Sequence, residues 1–365
     1  MNICLIGDGL TSLALAKNLI SKKIKVFIYY SKKKKIKLNT RTIAISKDNL
    51  NFLKSEIINL KSNILWNINE IEIYNEKSKN EKILNFKKKN EKIFSMIRYN
   101  EFYDLIEKNL KKNNLYKKIL IDDKNFYKKI LKEKKHQLVI NCETNNEIYK
   151  NFFYKKFKKD YNSQAYTFII KHKKIENTKA MQIFTKLGPI AFLPISNSET
   201  SIVFSKIDKN IILKKNEIIN IINKYNIKYE IKNFGKLEKF KLEFSSPRSY
   251  YNNNLMSFGD SIHKIHPLAG QGFNMTLRDI KILSKIIQNR IDLGMELNSS
   301  IYEEFEKKTK HFNFIFSSGI DFIHEFFKLD NKYKNNYSTK FLKFIGKNKI
   351  FNKLIFKYAD EGFIQ

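Results

Sequence analysis

Residues 2–6 are a short apolar run that Gly7-Asp8-Gly9 breaks at once. Leu13, Ala14, Ala16, Leu19 and Ile20 then recur at helical spacing, and Ile24 to Tyr30 is a second apolar run. A buried strand, a glycine turn, a helix and another buried strand within about 30 residues make a βαβ unit. Two parallel strands joined by a helix require further layers to cover them, so this opening points to an α/β fold. The chain has only 11 glycines and 4 prolines in 365 residues, so clustered glycines are informative. Gly7, Gly9 and Ser12 stand at the three glycine positions of a GxGxxG-like turn. Gly7 permits the turn, Gly9 admits close backbone approach, and the helix start at Leu10 and Thr11 offers N–H groups and positive dipole to a diphosphate. By itself the turn is equally an ordinary strand–turn–helix. The acid expected at the end of the second strand to hold an adenosine ribose is absent, and Tyr30 occupies its place.

Further along, residues 41–60 read as a loop followed by a helix. Residues 71–94 read as short strands, Glu101 to Leu110 as a helix, and Gln137 to Asn141 as a buried strand. Between Tyr161 and Phe244 the pattern changes to closely spaced strands at residues 166–170, 180–185, 190–193 and 201–204, with a helix at 216–225. This suggests a mainly antiparallel sheet. Residues 255–258 return to a buried strand. Phe273, Leu277, Ile280, Leu283 and Ile287 mark an amphipathic helix over 272–289, and the chain is helical and aromatic from Ile301. The expected organisation is a discontinuous dinucleotide-binding α/β domain (1–70, 95–155 and 250–295), an inserted sheet domain (71–94 and 156–249), and a helical C-terminal region (296–365).

The second glycine cluster is more specific. Gly259-Asp260-Ser261-Ile262-His263-Lys264-Ile265-His266-Pro267-Leu268-Ala269-Gly270-Gln271-Gly272-Phe273-Asn274 resembles the GD-x-x-H-x-x-HP-x-x-GQG-x-N signature of class A FAD-dependent aromatic hydroxylases. It is closest to the 2-polyprenylphenol hydroxylases of ubiquinone biosynthesis. Other segments are similar in order: Thr40 to Ser46, Tyr161-Asn162-Ser163-Gln164-Ala165, Phe184-Thr185 and Gly188 to Pro194. The resemblance implies a GxGxxG-type FAD domain with Gly7, Gly9, Leu10, Thr11, Ser12, Tyr30, Arg41, Gly259, Asp260, Pro267, Gly270, Gln271, Gly272, Phe273 and Asn274 at the cofactor. It implies His266 and Pro267 lining the reaction cleft, with no base assigned, and Phe192, Leu193 and Pro194 roofing the substrate. A carboxylate at Asp260 suits a ribityl hydroxyl, and a helix start after Gly270 suits negative charge on reduced flavin. The implied chemistry is hydroxylation of a polyprenylated phenol through a flavin C4a-hydroperoxide, using FAD, O2 and electrons from NAD(P)H or another donor. Two departures stand out. Asn141-Cys142-Glu143-Thr144 replaces the family's Ala-Asp-Gly, and Thr276 stands where glycine is common. Two alternatives remain open: a hydroxylase of another aromatic substrate, and a non-catalytic member of a ubiquinone-synthesis assembly.

Charge and composition narrow the partners. The net charge is +34, from 70 Lys plus Arg against 36 Asp plus Glu. Lys, Asn and Ile share A/T-rich codons, so genome composition accounts for much of it, and an anionic membrane surface is the next reading. The aromatics sit inside apolar runs rather than interleaved with Arg, unlike a base-stacking platform, which argues against nucleic acid. Cys4 and Cys142 alone form neither a disulfide framework nor a metal site, and His263 with His266 lacks further ligands. The N-terminus enters a strand with no basic stretch before it, unlike a signal peptide, and no run of about 18 apolar residues occurs. The expected location is cytoplasmic, peripheral on the inner face of the cell membrane. Residues 312–327, rich in Phe and Ile but broken by Asn313, Asp321, His324 and Glu325, would lie in the interface or pack as core.

Overall fold

Ile3 to Ile6 are fully buried, as a strand covered on both faces must be. The computed structural model describes residues 1–31, 40–76, 82–87, 91–121, 126–132, 135–265 and 270–333. The opening unit is β1 (Asn2–Ile6), α1 (Leu10–Ser21) and β2 (Lys25–Ser31). Next come β3 (Thr42–Ser46), α2 (Lys47–Phe52), β4 (Trp66–Ile68), β5 (Glu70–Asn75), β6 (Lys82–Lys87) and β7 (Phe94–Arg98). The expected loop after Arg41 is therefore a strand. Ile43 and Ile45 alternate with smaller residues across only five positions, too short a run to read as a strand without its partners β7 and β4. The chain continues through α3 (Tyr99–Leu110), β8 (Tyr116–Ile121), α4 (Phe126–Lys132), β9 (Leu138–Asn141) and α5 (Glu147–Phe152). Then follow β10 (Lys156–His172), β11 (Lys179–Thr185), β12 (Gly188–Pro194), β13 (Glu199–Ile207), α6 (Lys215–Tyr225), β14 (Ile231–Phe234) and β15 (Glu238–Pro247). The last elements are β16 (Tyr251–Asn252), β17 (Leu255–Ser257), α7 (Gln271–Asp292) and α8 (Ser300–Tyr333).

The fold is mixed α/β. One sheet has the order β16-β17-β9-β1-β2-β8 and is parallel except for the β16–β17 hairpin. The second has eight strands and is largely antiparallel, running β14-β10-β13-β12-β11-β5-β6 with β15 also on β10. The third joins β3, β7 and β4. In the first sheet Ile6 registers with Asn141, and Asn141 with Ser257. The carboxyl ends of β1, β9 and β17 therefore lie side by side, the edge where open α/β sheets bind ligands.

Buried polar side chains brace this edge. His263 Nε2 lies 2.5 Å from Asp279 Oδ2, both side chains being almost wholly buried, and Asn313 donates to Asp279 Oδ1 at 3.0 Å. The loop after β17, α7 and α8 are thereby tied at one carboxylate. Burial alone would lower the His263 pKa, but the Asp279 charge and hydrogen bond outweigh it and hold the value above that of an ordinary histidine. Leaving one member of such a pair unpaired in the interior costs about 3–5 kcal/mol. Asp279→Ala is expected to lose about that much in urea unfolding. Because the His263 pKa is raised on folding, its contribution is complete below about pH 6.5, the unfolded value, and fades as pH rises through the folded one. The stability gap between wild type and His263→Gln should therefore narrow as pH is raised.

Candidate functional site

Three turns leave the shared strand edge and meet. Gly7 adopts φ +104° and donates its N–H to the Tyr29 carbonyl at 2.8 Å, which ties the first turn to β2. A β-carbon at Gly7 would lie 2.4 Å from Cγ of Glu143, in the turn after β9. Gly259 has φ +69°, and a β-carbon there would lie 2.6 Å from Cγ2 of Thr11. The two glycine clusters, some 250 residues apart in sequence, are thus in van der Waals contact. Glycine is required at both positions by backbone angle and by space.

Two helices begin without a side-chain cap, α1 at this junction and α7 beside Ala44 of β3. α1 starts after Gly9 and α7 after Gly270, whose left-handed φ of +64° turns the chain into the helix. A β-carbon at Gly9 or Gly272 would meet nothing within 4 Å. Open space over uncapped N–H groups is the form of an anion cradle. Asp260 is exposed beside it, close enough to act electrostatically on Tyr99, Cys142 and His263. The side-chain Oε1 of Gln271 is buried with no partner among the described residues, so it can accept from a bound group. The Arg41 guanidinium lies 5.0 Å from the Tyr99 ring centre, and the Tyr99 hydroxyl faces the Leu10 N–H. Two helix N-termini, an exposed carboxylate and a free acceptor fit the diphosphate, ribityl chain and ring of FAD.

The side chains of several other expected site residues are engaged within the protein. Ser12 is fully buried against Cys142, whose thiol burial pushes up to about 12, so Ser12 packs beneath the turn. The Leu10 side chain belongs to the core, and Phe273 packs edge-on to Phe102. Asn274 is buried near the start of α7. Its amide donates to the Ala44 carbonyl at 2.9 Å and accepts from the Ser46 N–H at 3.0 Å, so it is spent on anchoring α7 to β3. The substrate trio also divides. Residues alternate across a strand, and Phe192 is wholly buried against Tyr229 beneath α6. Leu193 points the other way, toward the cluster containing Ala44, Ile68 and Met96. Pro194, in register with Thr200, is buried and shares the parity of Phe192. His266 and Pro267 lie outside the described residues. Thr276 is accommodated inside α7, its hydroxyl bonded to the Gly272 carbonyl at 3.3 Å.

Lys118 on β8 escaped the sequence reading. It lies 4.6 Å over the Tyr30 ring and pairs with Asp8 at 3.3 Å and Glu107 at 2.6 Å. Only the β2–β8 register, with Ile28 beside Lys118 and Tyr30 beside Leu120, brings it to the same face as Tyr30.

Comparisons with known proteins bear on the family and the fold. The family model for squalene epoxidase matches residues 135–347, more than half of the 365 residues. The chain belongs to the squalene epoxidase family. Among curated relatives it is similar to the mitochondrial ubiquinone biosynthesis monooxygenase COQ6 of Caenorhabditis elegans, 25% identical over 198 residues, covering 42% of this chain and 44% of that one. It is also similar to 3-demethoxyubiquinol 3-hydroxylase of Escherichia coli, 29% identical over 149 residues, covering 39% of this chain and 38% of that one. The chain thus matches less than half the length of these relatives. Among solved structures, p-nitrophenol 4-monooxygenase PnpA from Pseudomonas putida matches with a TM-score of 0.77 at 10% identity, covering 99% of this chain and 98% of that one. A likeness at that identity speaks for the fold, which this family member shares with an aromatic monooxygenase. The resemblance to FAD-dependent aromatic hydroxylases stands on these matches as well as on its motifs.

Gly259→Ala tests the junction. A side chain there must take a left-handed backbone and press on Thr11, a strain of about 1–3 kcal/mol. The variant is expected to unfold at correspondingly lower urea, whereas Gly272→Ala, in open space and helical, should match wild type within about 0.5 kcal/mol or exceed it.

Proposed function

We propose that this chain is an FAD-dependent monooxygenase that hydroxylates the ring of a polyprenylated phenol in ubiquinone biosynthesis. The observation that carries the reading is the packing of the Gly259-Asp260 turn against Thr11 at the uncapped start of α1, at the shared sheet edge. When bound, the flavin supplies the activation of O2, with electrons from NAD(P)H or a protein donor. The chain's own residues bind and orient. The start of α1 neutralises the diphosphate, Asp260 accepts from the ribityl hydroxyls, and the start of α7 stabilises negative charge that develops on the reduced ring. Leu193 and its neighbours on the inner face of β12 contribute an apolar wall that excludes water. The names of the ubiquinone hydroxylase relatives support the substrate class.

Purified protein should show flavin absorption, or acquire it on reconstitution with FAD. Asp260→Ala should weaken FAD binding about 10- to 100-fold, the worth of one charge-assisted hydrogen bond. A wild-type protein that stays colourless with FAD would favour a non-catalytic role in a ubiquinone-synthesis assembly, and an unchanged affinity would remove Asp260 from the site.

A polyprenylated substrate partitions into lipid, so we infer contact with an anionic membrane surface. Among the described residues no helix is long and apolar enough to cross a membrane. On α8, however, Phe312, Phe314, Ile315 and Phe322 are exposed, while Ile320 is buried. Phe312, Ile315 and Phe322 share one face at helical spacing, as an interfacial helix requires. Phe322→Glu with Ile315→Glu should reduce co-sedimentation with anionic vesicles at low salt. Equal recovery of wild type and variant would leave this face without a role in lipid binding.

A further inference from the structure

The acid that should end β2 and hold the adenosine ribose is missing, yet the cluster around Tyr30 is not short of carboxylates. Lys118 stands at its centre, paired with Asp8 from the glycine turn and with Glu107 from α3. Lys118 also donates to the Tyr103 hydroxyl at 3.3 Å. Tyr99, Tyr103 and Glu107 lie four residues apart on one face of α3, and the rings of Tyr99 and Tyr103 stack with centres 6.3 Å apart. Burial opposes the charge on Lys118, but Glu107, Tyr103 and Asp8 raise its pKa, so it stays an ammonium. Burial first, and then Asp8, push the Tyr103 phenol up to about 12, so it stays neutral.

Lys118 faces two carboxylates, but Lys111 at the end of α3 also pairs with Glu107 at 3.3 Å, so Glu107 is shared between two cations whereas Asp8 pairs with Lys118. The two carboxylates are not equivalent. Glu107 has an 11% exposed side chain, whereas that of Asp8 is 31% exposed. Asp8 is also tied to the end of β2, because the adjacent Gly7 bonds the Tyr29 carbonyl. We propose that Asp8, fixed by Lys118, replaces the strand-end acid and accepts hydrogen bonds from the adenosine ribose hydroxyls of FAD. This assignment rests on the flavin reading above. The ribose acceptor has moved from the end of β2 into the turn, and Tyr30 and Lys118 fill the volume it left. A phosphate on that ribose would meet the Asp8 carboxylate, so the site also favours an unphosphorylated ribose.

The test compares FAD with an analogue built on 2′,3′-dideoxyadenosine, each titrated into the full-length apo-protein and followed by flavin fluorescence. Wild type should prefer FAD by about 10- to 100-fold, the range for a hydrogen bond to a charged group. Asp8→Ala, which removes the acceptor, should bind both ligands alike, with its affinity for the analogue close to that of wild type, which also shows that the variant is folded. Wild type with no preference, or Asp8→Ala that keeps the preference, overturns the proposal and leaves the flavin reading standing. Wild type that binds neither ligand overturns both.

Discussion

The site depends on a carboxylate buried among three elements. Asp279 receives His263 from the loop after β17 and Asn313 from α8, and it belongs to α7 itself. Charged groups can be kept in the interior only when each has a partner at hydrogen-bonding distance, so this arrangement leaves little freedom in where the loop runs. Gly259 and Asp260 are carried at the start of that loop, and its far side is held to β15 by the Lys264–Ser245 bridge. Asn274 performs the matching task toward β3. The polar atoms that face the open cleft are positioned by polar atoms that never see it.

The parts of the fold that could be read from sequence were those whose signal is local. The β1–α1–β2 unit, α3, β9, α7 and the strands from β10 to β13 all show a period of their own, and they lie where that period put them. The glycine turns were visible because glycine is scarce in this chain. What could not be read depends on pairing. β3 is too short to declare itself without β7. The two faces of β12 look alike in sequence because both carry apolar residues, so Phe192 and Leu193 were grouped, although alternation sends them in opposite directions. Asn274 sits inside a recognisable motif, yet its partners are backbone groups of β3 more than 200 residues away. Lys118 is one lysine among many, and register alone distinguishes it.

The departures from the family pattern are absorbed by neighbouring groups. Glu143 fills the space against Gly7 that a smaller residue would leave. Asn141 restrains the same turn by donating to the Glu143 carbonyl at 2.8 Å. Thr276 turns its hydroxyl back onto its own helix. Each substitution changes how the turn is supported while the space over α1 and α7 stays open. Low identity to the curated relatives is therefore compatible with a common cleft, since a support can be rebuilt from different side chains as long as the backbone returns to the same place.

The alternation along β12 separates two kinds of change. Positions facing α6 belong to a sealed core and answer to volume, whereas their odd-numbered neighbours, such as Leu193, answer to the smaller cluster of Ala44, Ile68 and Met96. Drift at the second set can proceed without cost to the first. A lineage could therefore alter every other residue of a single strand and repack one side of the sheet while inheriting a stable scaffold on the other.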